Sequence, residues 1–304
     1  MIFGCVAITS AQQNRKEKKF KKEETITKEL EFTRSSLDNI LVIDNINGSI
    51  DVEAYSGNTI QIEVIKTVFA DTQEDLQQGI KEIGIKSATK DDAVYVYLDS
   101  PYSHFDKETG IFEYREYRVT FNYNYNFNLS SRRNYKHRKK RMYSYRLDFK
   151  VKVPRNVSID VKTINQGNIT VKDVQGKLLI VRNINGSIDM TNVAGQTDVN
   201  ALNKDINITY AKNPTEESWY KSLNGDINLK FKDDLDVSIS YKSMNGDFYT
   251  DFDVEKTTPK LSKTTEVKGR KIKYKINSKN HFKIGKGTIP LHFDQLNGNT
   301  TIKK

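Results

Sequence analysis

A short motif that recurs seven times constrains this chain of 304 residues more than any other feature. Each copy has an apolar residue, then Asn, usually then Gly, and then a short run that alternates apolar and polar residues. The copies begin at Ile46, Ile164, Ile184, Leu202, Leu223, Met244 and Leu296. The four central steps are 20, 18, 21 and 21 residues. This spacing is typical of solenoids, in which each repeat is one coil stacked on the last.

The motif predicts a tight corner followed by a strand. Asn-Gly adopts positive φ at little steric cost, and therefore turns the chain sharply. After one such corner, Ile188 and Met190 alternate with Asp189, which is the period of a strand with one buried face. A second corner at Val193-Ala194-Gly195 leads into another short strand. Two strands and two corners in about 20 residues fit one rung of a parallel β-helix.

A meander of antiparallel hairpins is the competing interpretation, because Asn-Gly between alternating runs is also a strong hairpin signal. The nearly constant spacing favours the solenoid, in which the Asn side chains would stack as a hydrogen-bonded ladder. We therefore interpret the motif residues as structural. They are Asn47, Gly48, Asn165, Asn185, Gly186, Asn203, Asn224, Gly225, Asn245, Gly246, Asn297 and Gly298.

Residues 151–208 run from a Val-Pro strand, VKVPRN, directly into the rungs INQGNITV, INGSIDM and LNKDINI. This stretch resembles the DUF4097 family of adhesin-like proteins, which is related to auto-transporter adhesin head-domain proteins, and Ile43 to Leu98 resembles the family more weakly. The resemblance implies a right-handed parallel β-helix exported to the cell envelope, with no established activity. The chain departs from the family pattern at Gln166 and Lys204, which replace the rung glycine, and in an insertion between residues 100 and 150.

The start of the chain indicates export. Residues 2–8 are apolar, and Thr9-Ser10-Ala11 is typical of the end of a secretory signal peptide. We interpret residues 1–11 as a signal-peptide remnant whose true start lies upstream, with lipidation of Cys5 as the alternative. A charged leader at 12–35 and a single all-β domain at 36–304 follow. No segment of the mature chain reaches the roughly 18 apolar residues of a membrane-spanning helix.

Two further elements are predicted inside the domain. Asp71 is predicted to cap a helix in which Thr72 and Asp75 have the spacing of a capping box, and this helix would cover one end of the solenoid. Apolar or aromatic residues then occupy every odd position in 117–129 and in 143–153. This alternation predicts a long β-hairpin over residues 112–153, with a basic tip at 130–142.

The tip holds the only binding chemistry that the sequence suggests. The formal net charge is +10, and segments 15–22 and 130–142 together contribute more than this total, so the solenoid itself is nearly neutral. Basic side chains beside tyrosines offer charge and stacking faces to an anionic glycan, lipid head groups or an envelope protein, and nucleic acid is less favoured for an exported chain. A solvated loop without a ligand is the alternative. The candidate binding residues are Arg132, Arg133, Tyr135, Lys136, Arg138, Lys139, Lys140, Arg141, Tyr143 and Tyr145.

No catalytic, cofactor or metal site is predicted. The four histidines lack metal-site spacing, and no phosphate-binding glycine loop or nucleophile motif is present. Asp189, Asp205 and Asp226 resemble carboxylates that cleave polysaccharides on some β-helices, but they occupy ordinary repeat positions. We therefore expect a non-enzymatic, adhesin-like envelope protein. A periplasmic scaffold that docks another protein is the alternative, and a polysaccharide-cleaving enzyme is the third hypothesis.

Overall fold

The computed structural model describes residues 18–114, 141–257 and 280–304, together with the backbone of four short strands at 119–121, 128–129, 266–268 and 271–273. Apart from one helix, α1 (Gln73–Glu82), the elements of the described residues are β-strands. The strands are β1 (Phe20–Leu30), β2 (Ile40–Asp44), β3 (Ile50–Tyr55), β4 (Ile60–Ala70), β5 (Gly84–Lys90), β6 (Ala93–Asp99), β7 (Ser103–Asp106), β8 (Ile111–Tyr114), β9 (Val119–Phe121), β10 (Asn128–Leu129), β11 (Tyr143–Pro154), β12 (Ser158–Thr163), β13 (Ile169–Lys172), β14 (Leu178–Asn183), β15 (Ile188–Val193), β16 (Gln196–Ala201), β17 (Ile206–Tyr210), β18 (Ser218–Ser222), β19 (Ile227–Lys230), β20 (Val237–Lys242), β21 (Phe248–Thr250), β22 (Glu255–Thr257), β23 (Glu266–Lys268), β24 (Lys271–Lys273), β25 (Asn280–Ile284), β26 (Ile289–Gln295) and β27 (Thr300–Lys303).

Most strands belong to two large sheets. The first sheet has ten strands in the order β1-β4-β11-β3-β13-β15-β17-β19-β27-β21. The second sheet has eleven strands in the order β22-β25-β20-β26-β18-β16-β14-β12-β2-β6-β5. Each motif copy contributes one strand to each sheet, and the buried apolar residues of these strands belong to a single core cluster or pack against it.

Equivalent residues of successive copies pair side by side in the stack. In the first sheet Ile50 pairs with Ile169, and the same row continues through Ile188, Ile206 and Ile227. In the second sheet β2, β12, β14, β16 and β18 follow the same progression. All of these pairings are parallel. The prediction of stacked parallel rungs is therefore confirmed, and the meander of antiparallel hairpins is wrong.

The last two rungs lie in space in the reverse of their sequence order. Strands β26 and β27 insert between the rung of β18 and β19 and the rung of β20 and β21. The copy that begins at Leu296 therefore lies between those of Leu223 and Met244. The motif spacing does not reveal this order, because a parallel strand forms the same backbone hydrogen bonds with any parallel neighbour.

Antiparallel strands and the helix close the other end of the stack. β4 pairs antiparallel with β11 and β1, and β5 pairs antiparallel with β6. The predicted helix is present and packs against β4, β11 and β1 with Leu76 buried. Its capping residue is Thr72, whose hydroxyl accepts a hydrogen bond from the Asp75 backbone N–H at 3.1 Å. The prediction that Asp71 caps the helix is therefore wrong by one residue.

The predicted pairing of the inserted hairpin is wrong. β11, which contains residues 143–153, is an internal strand of the first sheet between β4 and β3. β9 instead pairs with β8 and β10 in a small antiparallel sheet with β7. Alternation correctly indicated strands, but it does not encode which strands are neighbours. Phe105 of the small sheet stacks on Tyr97 of β6, with ring centroids 4.2 Å apart.

The predicted leader is also partly structured. Residues 20–30 form β1, the edge strand of the first sheet, which pairs with β4 over its whole length. The alternation of Ile26, Lys28 and Leu30 toward the core explains the strand. Frequent Lys and Glu hid this period in the sequence, although such residues are common on edge strands because they discourage further pairing.

Two tyrosines join the sheets across the core near the middle of the stack. The Tyr210 hydroxyl on β17 donates a hydrogen bond to Thr197 Oγ1 on β16 at 3.0 Å and lies 2.5 Å from the Tyr220 hydroxyl on β18. Tyr210 also stacks on Phe231, with ring centroids 4.8 Å apart. Burial raises the pKa of Tyr210 to about 12.

This pKa shift predicts alkaline destabilisation. The unfolded chain ionises its tyrosines near pH 10, whereas folded Tyr210 stays protonated to about pH 12. The corresponding stability is fully present below pH 10 and is lost between pH 10 and 12, by about 2–3 kcal/mol at most. Chemical denaturation of Tyr210→Phe should show a smaller alkaline loss than the wild type. The exposed Tyr249→Phe is the control, and an equal loss in both variants would contradict this assignment.

Candidate functional site

The motif asparagines form a continuous ladder along one corner of the solenoid. Each side-chain amide N–H donates to the Oδ1 of the Asn on the preceding rung, with distances of 2.8–3.3 Å. In spatial order the ladder is Asn47, Asn165, Asn185, Asn203, Asn224, Asn297 and Asn245. The predicted hydrogen-bonded ladder is therefore present. All six hydrogen bonds of the ladder run in the same direction, which gives its two ends different chemistry.

The acidic residues beside the ladder also hold rungs together. Asp205 Oδ1 accepts a hydrogen bond from the Asp226 backbone N–H at 2.9 Å. Asp226 in turn accepts from Asn299 N–H at 2.8 Å, and Asn299 accepts from Asp247 N–H at 3.0 Å. These oxygens are therefore occupied by backbone donors. This arrangement gives Asp205 and Asp226 a structural role and does not resemble a pair of catalytic carboxylates.

The motif glycines are needed mainly because successive rungs lie too close together to leave room for a Cβ atom at the corner. Among the described motif copies, Gly48 and Gly298 have positive φ, at 123° and 115°. Gly186, Gly225 and Gly246 do not, but an added Cβ would lie 1.9, 2.2 and 1.8 Å from a backbone oxygen of the neighbouring rung. The expectation that Asn-Gly serves a positive φ is therefore correct at some corners, and close stacking explains the others.

The ladder predicts a graded effect of Asn→Ala substitution. Asn203→Ala removes two ladder hydrogen bonds, whereas Asn245→Ala on the last rung removes one. At about 0.5–1.5 kcal/mol per bond, we expect the free energy of unfolding to fall by about 1–3 kcal/mol for Asn203→Ala and by about half as much for Asn245→Ala. Urea unfolding followed by circular dichroism measures both. Equal losses would contradict a ladder that contributes bond by bond.

Five buried charges form a second ladder, on the face of the second sheet that points away from the core. Lys162 Nζ lies 3.4 Å from Asp44 and 3.2 Å from Asp160. Arg182 continues the series, 3.5 Å from Asp160 and 3.2 Å from Asp198. We call these residues the ion ladder, and all five are buried.

The pKa shifts within the ion ladder reflect two opposing effects, the burial of each group and the charges of its neighbours. Burial raises the pKa of Asp44 and of Asp198, while Lys162 and Arg182 act in the opposite direction. Burial by itself would lower the pKa of Lys162, but the carboxylates of Asp160 and Asp44 outweigh it and raise that pKa. The carboxylates are engaged with cations on consecutive strands, so the cluster is suited to holding strands together.

Removing one cation of the ion ladder should therefore strongly destabilise the folded protein. Lys162→Met leaves Asp44 and Asp160 buried without their shared ammonium, and we expect the free energy of unfolding to fall by about 3–5 kcal/mol. Lys172→Met is the matched control, because Lys172 forms an exposed pair with Glu53 at 3.3 Å and should cost less than about 1 kcal/mol. Urea unfolding followed by Trp219 fluorescence measures the difference. Similar small losses in both variants would overturn the structural role of the ion ladder.

The outer face of the first sheet carries two rows of polar side chains that cross successive strands. The first, which we call the lysine–threonine row, consists of Lys152, Glu53, Lys172, Thr191, Thr209, Lys230 and Lys303. The second, which we call the amide row, consists of Lys150, Asp51, Thr170, Asp189, Asn207, Asn228 and Thr301. Neighbours within a row are about 4.8 Å apart, and the two rows are about 7 Å apart along the strands.

The amide row is held in place by its own hydrogen bonds. Asn207 Nδ2 donates to Asp189 Oδ1 at 2.8 Å, and Asn228 Nδ2 donates to Asn207 Oδ1 at 3.0 Å. Asp189, a candidate in the sequence, therefore belongs to a fixed polar array. In the lysine–threonine row, Lys172 pairs with Glu53, whereas Lys152, Lys230 and Lys303 form no ion pair with any residue that the structure describes.

The outer face of the first sheet forms a groove over the first rungs of the stack. A cavity of about 790 Å³ lies over β1, β4, β11, β3 and β13, with Glu53, Glu63, Lys150 and Lys152 in its wall. Two residues further along the same strands, a second cavity of about 880 Å³ is lined by Glu31, Tyr55 and Pro154. Glu63 pairs with Lys150 at 3.0 Å. The groove is thus lined by charges of both signs, including Lys152, while Lys230 and Lys303 lie beyond it.

Sequence reasoning missed the lysine–threonine row, although a signal was present. Its members from Glu53 onward are the sixth residue after each ladder Asn, except Lys172, which is the seventh. The prediction that Gln166 replaces the rung glycine is wrong, because Gly167 stacks between Gly48 and Gly186 and Gln166 is an additional residue in the corner. The basic segment 130–142 has a far higher local charge density than these single lysines. Single lysines that are 20 residues or more apart in the sequence become neighbours only when the rungs stack.

Most of the predicted basic tip lies outside the described residues, namely Arg132, Arg133, Tyr135, Lys136, Arg138, Lys139 and Lys140. Arg141 is described, and its guanidinium lies over the rings of Tyr102, Tyr143 and Tyr145 at 5.0–5.9 Å. Tyr143 and Tyr145 are only 3% and 1% exposed. Their rings belong to the core side of β11, so their predicted role as stacking faces for a ligand is wrong.

Other site types find no support in the described part of the chain. No cluster of three or more His, Cys, Asp or Glu residues there could hold a metal ion. His292 lies 2.6 Å from Glu217 and stacks beside Trp219, the residue that pairs with Asp198 of the ion ladder on the neighbouring strand. No helix among the described residues is long and apolar enough to cross a membrane.

Comparison with known proteins gives one family and two distant structures. Residues 148–302, slightly more than half of the chain, match the model of the family described as Toastrack DUF4097. A comparison with curated proteins finds no significant match.

Both solved structures are remote in sequence. One is a "putative cell adhesion protein" from Clostridium sporogenes ATCC 15579, with 11% identity, a TM-score of 0.47 and coverage of 93% of this chain and 99% of that chain. The other is a "putative adhesin" from Bacteroides fragilis NCTC 9343, with 10% identity, a TM-score of 0.37 and coverage of 92% and 97%. With TM-scores below 0.5, neither likeness establishes a fold or a function for this chain.

Proposed function

The chain belongs to the Toastrack DUF4097 family, and from this premise we propose that it is an exported, non-enzymatic, adhesin-like protein that binds an extended anionic glycan. The ligand lies on the outer face of the first sheet and runs across the strands. The coil is right-handed and the protein belongs to the cell envelope, as the family resemblance and the export-like start of the sequence suggest.

The lysine–threonine row is the observation that carries this proposal. Lys152, Lys230 and Lys303 lack ion-pair partners among the described residues, and two hydroxyl side chains, Thr191 and Thr209, lie between the cations. A polymer that carries repeated carboxylates or sulfates would contact the cations and would hydrogen bond to the residues between them. A small compact anion would reach only one or two of these groups.

The amide row supports the same ligand. Its Asn207 and Asn228 amides are held by neighbouring side chains, so little conformational entropy is lost when sugar hydroxyls bind. The rows are straight because every rung has the same register, and each strand adds one contact at a spacing of about 4.8 Å. Many weak contacts along a chain provide avidity, which suits adhesion to a surface polymer.

The described carboxylates support binding without turnover. Hydrolysis of a glycosidic bond needs two carboxyl groups that face one bond, one as acid and one as base or nucleophile. Asp189, Asp205 and Asp226 instead accept hydrogen bonds from neighbouring rungs, and Glu53 and Glu63 pair with lysines. The basic segment 130–142 would provide a second cationic contact with the same class of ligand.

Two triple variants that remove the same number of positive charges test whether the ligand binds the outer face of the first sheet. Lys152→Gln, Lys230→Gln and Lys303→Gln together should weaken binding to polygalacturonate about tenfold, because three exposed charge contacts contribute about 0.3–0.5 kcal/mol each. Its salt dependence should also decrease. Affinity electrophoresis at two salt concentrations measures both effects.

The control is Lys204→Gln, Lys232→Gln and Lys286→Gln, which removes the same charge from exposed positions outside the row. We expect it to leave binding nearly unchanged. Equal weakening in both triple variants would indicate a nonspecific effect of net charge and would overturn the assigned face. A variant with the seven Lys and Arg residues of 130–142 changed to Ser separates the contribution of that segment.

A further inference from the structure

The last rung of the stack ends in unused hydrogen-bond acceptors. Asn245 Nδ2 donates to Asn297 Oδ1 at 2.8 Å, as in every other rung. Within the part of the chain that the structure describes, no group donates to Asn245 Oδ1, whereas each preceding Oδ1 accepts from the next rung. The Asp247 carboxylate likewise has no rung above it, and its described hydrogen bond is a long one from the Tyr249 hydroxyl, at 3.4 Å.

The same rung has an open backbone edge and exposed apolar side chains. β21 is the last strand of the first sheet, and among the described residues it pairs with β27 alone. Met244 is 74% exposed, Tyr249 is 52% exposed and Val254 is 42% exposed, whereas large apolar residues of the described chain are mostly buried. An open edge beside apolar surface is a template for strand addition.

The polarity of the ladder limits what can bind there. Every ladder amide points its N–H groups toward the first rung, so this end presents acceptors and needs donors from its partner. A second copy that docks through the same rung would place Asn245 Oδ1 and Asp247 opposite their own counterparts. The other end of a second copy cannot supply ladder donors, because Asn47 is buried beneath β11.

We propose that the last rung is a docking site for one extended strand of another protein, added parallel to β21. The strand has the chemistry of a further rung. It carries an Asn-like amide donor above Asn245 and a backbone N–H above Asp247. It also carries a glycine where it crosses the Gly246 corner, because at the existing corners a Cβ would meet the carbonyl oxygen of the rung below.

A peptide with this chemistry tests the site on the full chain. The probe is a fluorescein-labelled peptide of residues 221–231, KSLNGDINLKF, which contains the Asn224 copy of the motif. We expect saturable binding in fluorescence anisotropy. The same peptide with Asn224→Asp keeps the shape but lacks the N–H donor, and it should bind at least about tenfold more weakly.

Substitutions in the protein test whether the peptide binds at the last rung. Met244→Lys with Tyr249→Lys places charges on the open rung and should weaken peptide binding at least about tenfold. Leu37→Lys is the control, because Leu37 is 72% exposed but lies near the other end of the stack. Circular dichroism confirms that each variant is folded.

Three results would overturn the proposal. They are no saturable binding up to about 1 mM peptide, equal weakening by Leu37→Lys, and equal binding of the Asn224→Asp peptide. Sedimentation velocity adds a fourth. Self-association of the wild type that is lost in Met244→Lys with Tyr249→Lys would show that a second copy is the occupant.

Discussion

The side-chain hydrogen bond between asparagines of successive rungs is the contact on which the rest of the structure depends. A carboxamide is both donor and acceptor, so one residue type at one position can be satisfied from both sides along an unlimited stack. This contact requires each corner to lie directly above the last. The strands that leave the corner are thereby brought into register, and apolar, charged and hydroxyl positions line up with their equivalents on the next rung.

Because successive rungs are in register, residues that are isolated in the sequence become neighbours on one surface. Lys172, Lys230 and Lys303 are far apart in the sequence, and each is unremarkable where it occurs. The stack places them on one face at multiples of a strand spacing, with threonines between them. The ion ladder arises in the same way on the second sheet, where alternating charge on consecutive strands allows five charged groups to be buried together. The same device thus produces a binding face and a structural cluster.

The ladder also makes the ends of the molecule unequal. All amides point in one direction, so acceptors remain at the last rung, while β11 covers the first. Antiparallel strands and α1 close the first end, which is the usual protection of a solenoid terminus. At the last end, β25 and β22 extend the second sheet antiparallel beyond β20, whereas among the described residues β21 leaves the first sheet with an open strand edge beside exposed apolar side chains. The arrangement separates two modes of recognition, namely polymer binding along the face and strand addition at the end.

The sequence by itself determined the elements that depend on local chemistry. The motif spacing predicted stacked rungs, the alternation predicted strand faces, and Thr72 with Asp75 predicted the start of the helix, because each depends on residues only a few positions apart. Only the tertiary structure decided which strands are neighbours. It placed β11 within the first sheet, inserted β26 and β27 ahead of β20 and β21, and buried Tyr143 and Tyr145. The physical reason is that strands pair through backbone groups, which are the same for almost every residue, so long-range partners are selected by the packing of the whole core.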